Sequence, residues 1–221
     1  MSRRSRDFWD DQDPTPEDVA RGEENRLRVL RDLIAHGADT DKPLDTDRVA
    51  KWHKWLFEGL SHVAKDDECY LGAYRGSRHR KLKSLRVGVG GVRCVEPEDV
   101  PREVARFFDQ LERKMAGLAS EIARDEDKSG EELRQIAEVA GWAHGEWVRI
   151  HPFANGSGRT ARSIANWVLV RFGLLPVVGI RPRPEGPFPF YELAASASMG
   201  GDHRKIVEYI IVLLEDPKNR A

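Results

Sequence analysis

Apolar residues recur every three or four positions through most of the chain, the spacing that lines up one face of an α-helix. Val49, Trp52, Leu56, Phe57 and Leu60 form one such stripe behind the starter Asp45-Thr46-Asp47, weakening at Gly59 and Ser61. Val104, Phe107, Phe108, Leu111 and Met115 form another behind Pro97 to Pro101, and Leu133, Ile136, Ala140, Trp147 and Ile150 a third behind Ser129. Thr15-Pro16-Glu17 opens an earlier helix with a capping hydroxyl, a proline at the first helical position and an acid in the first turn. That helix is expected to run to His36, with Gly37 closing it. Arg159 to Phe172 reads as a helix apolar on most of its circumference, hence buried, and two more follow over 190–199 and 202–215.

One stretch breaks the helical pattern. Glycines crowd residues 72–91, and Leu85 to Val89 and Val92 to Val95 alternate about Gly90-Gly91, which predicts a short β-hairpin. The expected fold is therefore all-α: a helical bundle carrying one hairpin. Residues 1–14 are expected to be a flexible tail, 15–44 an N-terminal helical extension, and 45–215 the main domain. A Pro-rich link occupies 181–189.

Composition narrows the partners. With 221 residues, 36 Lys+Arg against 37 Asp+Glu and a net charge of −1, the chain has no global field favouring nucleic acid or a membrane, so any anion site is local. No segment reaches the length of a membrane span or resembles a secretory leader, and the two cysteines, Cys69 and Cys94, are too few for a disulfide scaffold. Together these predict a cytoplasmic protein. A basic run from Arg75 to Arg86 lacks interleaved aromatics and reads as a solvated loop or a charged rim rather than a nucleic-acid site. His144 and His151 share a helix face without a third ligand, so His144 reads as a packed histidine. Tyr70 and Tyr191 read as core, although either ring is of the kind that stacks on a base.

The candidate chemistry lies in HPFANGSGRTAR, residues 151–162. Pro152 forces His151 out of helical geometry and ends the fourth helix there. Gly156-Ser157-Gly158 directly precedes the fifth helix, whose unpaired N–H groups and positive dipole end attract anions. Arg159 and Arg162, three residues apart, face one side and are expected to reach the same polyphosphate. An ordinary helix corner with Phe153 plugging the core also fits the residue types.

The same twelve residues resemble the signature of the Fic family, His-Pro-Phe-x-Asp/Glu-Gly-Asn-Gly-Arg-x-x-Arg. Asn155 stands where an acid is usual and Ser157 where Asn is usual. VAKWHKWLFEGL, YLGAYRGS, the hairpin region and GDHRKIVEYI extend the likeness over residues 45–215. The resemblance implies protein AMPylation: His151 as general base, with AMP passing from ATP to a Ser, Thr or Tyr hydroxyl of a target protein. It also implies a phosphate cradle of Gly156, Ser157, Gly158, Arg159 and Arg162, with Mg²⁺ held at Asn155 through an amide oxygen. The hairpin would be a flap that lays the target across the site. Transfer of UMP, phosphocholine or a phosphate, and a non-catalytic nucleotide-binding module, are the alternatives. For restraint, Glu24 in Ala20-Arg21-Gly22-Glu23-Glu24-Asn25 is a candidate lock on Arg162 by analogy with the family's inhibitory helix; a separate antitoxin-like protein, as in toxin-like relatives, is the other candidate.

Overall fold

A computed structural model describes residues 15–61, 63, 70–89, 91–180 and 190–216. The expected tail over 1–14, Gly90 of the hairpin turn, Cys69 and the Pro-rich link lie outside the described residues. Seven helices are found among them: α1 (Pro16–Ala38), α2 (Thr46–Phe57), α3 (Val100–Ala119), α4 (Gly130–Ile150), α5 (Ser157–Arg171), α6 (Phe190–Met199) and α7 (Arg204–Glu215). Between α2 and α3 stands the antiparallel pair β1 (Gly88–Val89) and β2 (Val92–Arg93), with Gly88 opposite Arg93 and Val89 opposite Val92. The all-α expectation holds, hairpin included.

The helix starts follow local chemistry. Thr15 and Asp18 form a reciprocal capping box at α1, Ser129 and Glu132 another at α4, and the Asp45 carboxylate caps α2 through the Arg48 N–H. Reciprocal caps satisfy two backbone N–H groups that a helix start leaves without partners. Asp18 also accepts from both the Ser61 N–H and hydroxyl, so the start of α1 is tied to the segment after α2.

At the centre lies α5, where every residue from Thr160 to Val170 is buried. It packs on α4, α1 and α2, and α3, α6 and α7 also pack on α4. Trp147, Trp167, Phe153 and Phe172 fill the space between these layers. Asn166, mid-helix and fully buried, both accepts from and donates to the backbone of Val178, fixing the chain after α5.

Gly37 does not close α1. The helix continues to Ala38 because Gly37 is a packing residue: a Cβ there would press on Val170 at 3.0 Å and Trp167 at 3.3 Å. With Val29 and Leu33 fully buried beside it, the N-terminal extension is packed into the same core. Among the described residues, no helix is long and apolar enough to cross a membrane.

Candidate functional site

His151 caps α4 in the left-handed conformation, φ 50 and ψ 60, and is the only described non-glycine residue with positive φ. That conformation is sterically costly for a residue with a Cβ. It turns the chain sharply so that Gly156, also left-handed at φ 80, can start α5 a few residues later. Gly156 is required here twice over: for its φ, and because a Cβ would overlap the Phe57 ring, 2.6 Å from Cζ. No side chain caps α5, so its first turn carries the positive end of the helix dipole, with Ser157 itself fully buried and Gly158 partly exposed.

The His151 ring is partly exposed, but its Nδ1 is buried. Proton exchange with a bound molecule therefore goes through Nε2. Burial, and then the Arg75 charge, push its pKa down to about 4, with the Val148 carbonyl pulling the other way. The imidazole is thus neutral near pH 7 and able to accept a proton.

Sequence reasoning places Arg75 in a solvated basic run and gives His53 no role, whereas both are buried and hold this corner. Arg75 is fully buried and makes no ion pair among the described residues, the Glu96 charge acting on it only through space. Its guanidinium donates to four carbonyls: His151 at 2.7 Å, and Ile150, Leu85 and Val95 each at 3.0 Å. Its own N–H donates to Pro152 O at 2.7 Å. One side chain therefore joins the end of α4 to both flanks of the hairpin. His53, buried on α2, donates from Nε2 to Asn155 O at 2.9 Å and accepts the Gly72 N–H on Nδ1, which fixes its tautomer. Its ring stacks on Phe153 with centroids 3.8 Å apart. Burial, assisted by Arg159, pushes its pKa down to about 3. Only the GxYR segment and the early histidine helix hinted at these two in the sequence.

The expected cradle residues are brought together around the start of α5, with differences. Ser157, fully buried, turns its hydroxyl inward, where it accepts the Phe153 N–H at 3.1 Å. The Arg159 guanidinium lies 4.4 Å over the Phe57 ring, whereas Arg162, 3 % exposed, donates to the Tyr191 hydroxyl of α6 and lies over that ring. The Arg162 tip folds back toward the helix start, 3.4 Å from where a Gly158 Cβ would stand. Tyr191 continues the chain to His144, 3.0 Å from its Nε2, so the packed histidine of α4 backs the second motif arginine. Burial and the Arg162 charge push the His144 pKa down to about 3.

Asn155 and Glu24 are each engaged by a near neighbour. The Asn155 side-chain oxygen accepts the Gly156 N–H, the turn supplies no carboxylate, and no metal-binding group of three or more His, Cys, Asp or Glu occurs among the described residues. That donor set does not fit a Mg²⁺ held by the protein. Glu24 does not reach Arg162; it lies exposed on α1, paired with Arg21 at 2.8 Å.

Comparison with known proteins agrees with this geometry. The family model described as the Fic/DOC family matches residues 43–169. Protein adenylyltransferase fic-1 of Caenorhabditis briggsae is 32% identical over 131 residues, 59% of this chain and 22% of that protein. Protein adenylyltransferase Fic of Nematostella vectensis is 31% identical over 130 residues, 59% of this chain and 26% of that one. The chain thus spans about a quarter of the length of these curated relatives. Among solved structures, Fic-1 from C. elegans superposes with a TM-score of 0.63 at 20% identity, covering 93% of this chain and 52% of that one, which is a likeness of fold. Since the family model takes in more than half of the chain, including the whole turn from His151 to Arg162, the chain belongs to the Fic/DOC family.

Proposed function

We propose that the protein transfers AMP from ATP to a Ser, Thr or Tyr hydroxyl of a target protein. One observation carries the reading: a neutral imidazole at the end of α4 stands a short turn before the uncapped start of α5, and the Arg162 guanidinium folds back to that start. The curated relatives named as adenylyltransferases support the choice of AMP.

On this reading the target hydroxyl gives its proton to His151 Nε2 while its oxygen attacks the α-phosphorus. The new O–Pα bond forms as the bond from Pα to the bridging oxygen breaks, and pyrophosphate leaves with that oxygen. The amides of Ser157 and Gly158, that of Gly156 once it leaves the Asn155 side-chain oxygen, and the guanidiniums of Arg159 and Arg162 hold the phosphates and the leaving group. This is catalysis by positioning and fixed charge. The relatives' acid is Asn155 here, so phosphate charge falls to the two arginines and the amides rather than to a protein-bound Mg²⁺. The hairpin presents the target by adding it as a strand. Restraint of a toxin-like activity is assigned to a separate antitoxin-like protein, because the Glu24 carboxylate is engaged by Arg21.

The test is incubation with ATP labelled at the α-phosphate, followed by mass spectrometry of the labelled protein. Label on protein that vanishes in His151→Ala, with the mass of AMP, is the expected result. Nucleotide binding without transfer would identify a binding module instead, and an adduct of another mass would name another cargo.

A further inference from the structure

From Tyr70 to Val95 the chain carries seven Lys and Arg and no Asp or Glu, although its net charge is only −1. The structure ties this segment to the candidate catalytic histidine through Arg75. Residues 76–84 form a closed loop, with the Gly76 N–H bonded to Leu82 O at 2.9 Å and both Leu82 and Lys83 N–H groups on His79 O. Its neck is the buried Arg75, whose side chain also grips Leu85 and Val95 at the foot of the hairpin and the carbonyls of Ile150 and His151. Loop, hairpin and the end of α4 thus share one root.

Arg78, Arg80 and Lys83 on the loop and Arg93 on β2 are exposed, and none has a carboxylate partner among the described residues. The two-stranded hairpin has no third strand beside it among those residues, so it keeps an edge for an extended chain. Resting on the function proposed above, we propose that this face receives an acidic segment of the target protein. Asp or Glu residues flanking the modified hydroxyl pair with Arg78, Arg80, Lys83 and Arg93 while the segment backbone lies along the hairpin. Charge complementarity selects the occupant. A single-stranded nucleic acid fits less well, because it needs exposed rings to stack on. Here Tyr70 is 1 % exposed, and the Tyr74 hydroxyl is bonded to Thr46 O.

The test uses fluorescent extended peptides with a central Ser or Tyr flanked by acidic, neutral or basic residues, titrated against the full chain at low and high salt. The acidic peptide is expected to bind at least about tenfold tighter than the neutral one, equivalent to roughly 1.4 kcal/mol. The preference should shrink with salt and reverse in the Arg80→Glu, Lys83→Glu double variant, whose unfolding midpoint should match the parent because both sites are exposed. Equal binding of the three peptides, binding of none, an unchanged preference after charge reversal, or tighter binding of single-stranded RNA would each overturn the proposal. Adding α-labelled ATP separates the two ideas. His151-dependent labelling that ignores flanking charge defeats the acidic segment and keeps the activity. Tight binding of the acidic peptide without label keeps the docking face and defeats the activity.

Discussion

Replacing Arg75 by Met removes a buried charge that serves four carbonyls and leaves them without their donors. The Ile150 bond is wholly buried and the other three partly so. A hydrogen bond to a charged group contributes roughly 1.5–3 kcal/mol, and a stranded buried acceptor costs about 1–3 kcal/mol. One such loss in full and three softened by entering water give about 3–5 kcal/mol, measurable as a fall in urea midpoint at constant slope. Arg75→Lys retains the charge but reaches fewer carbonyls, so about half of that loss is expected. Activity separates the variants further. His151 must be neutral to accept a proton, so AMP transfer falls as pH drops through its pKa, which the Arg75 charge helps to depress. Arg75→Met therefore moves the acid limb of the rate profile to higher pH, while Arg75→Lys leaves it in place despite its lower stability. If Arg75→Met unfolds within about 1 kcal/mol of the parent, or both variants keep the parental acid limb, the coupling through this guanidinium is wrong.

Gly156→Ala combines a left-handed backbone with overlap of the Phe57 ring, and about 2–4 kcal/mol of destabilisation is expected by urea titration; an unchanged midpoint would contradict the geometry. Tyr191→Phe deletes the hydroxyl between Arg162 and His144, so calorimetric affinity for a non-hydrolysable ATP analogue should drop severalfold with the fold intact. His53 and His144 have folded pKa values of about 3 against 6.5 for the free side chain. Below about pH 6.5 the unfolded chain takes up protons that these buried rings refuse. Stability is therefore full near neutrality and declines as pH falls toward 3, by up to about 1.4 kcal/mol per unit for each ring. His144→Gln should make the decline in urea midpoint shallower. Glu24→Ala, breaking an exposed pair, is expected to change stability by less than about 1 kcal/mol and leave AMP transfer at the parental rate.

What could be read from the sequence was what the sequence keeps local. Thr15, Asp45 and Ser129 announced their helices because a cap and its amide lie three residues apart. The His151–Arg162 turn was legible because its chemistry is contiguous. Gly37 misled because a terminating glycine and a packing glycine look alike until α5 supplies Val170 and Trp167. Arg75 and His53 were only hinted at by their segments, since their partners are backbone groups, some of them 76 and 102 residues away, where any residue type would serve. The spacing of Arg159 and Arg162 was correct, but it could not foresee that Phe57 and Tyr191 draw the two guanidiniums toward different helices.

The left-handed backbone of His151 sets the fold and its chemistry at odds. Glycine would sit there more comfortably than any side chain with a Cβ, so the most robust version of this bundle is one that has lost the base proposed above. A population selected for folding alone should drift to glycine at position 151, whereas one selected for AMP transfer should retain histidine and acquire its robustness elsewhere.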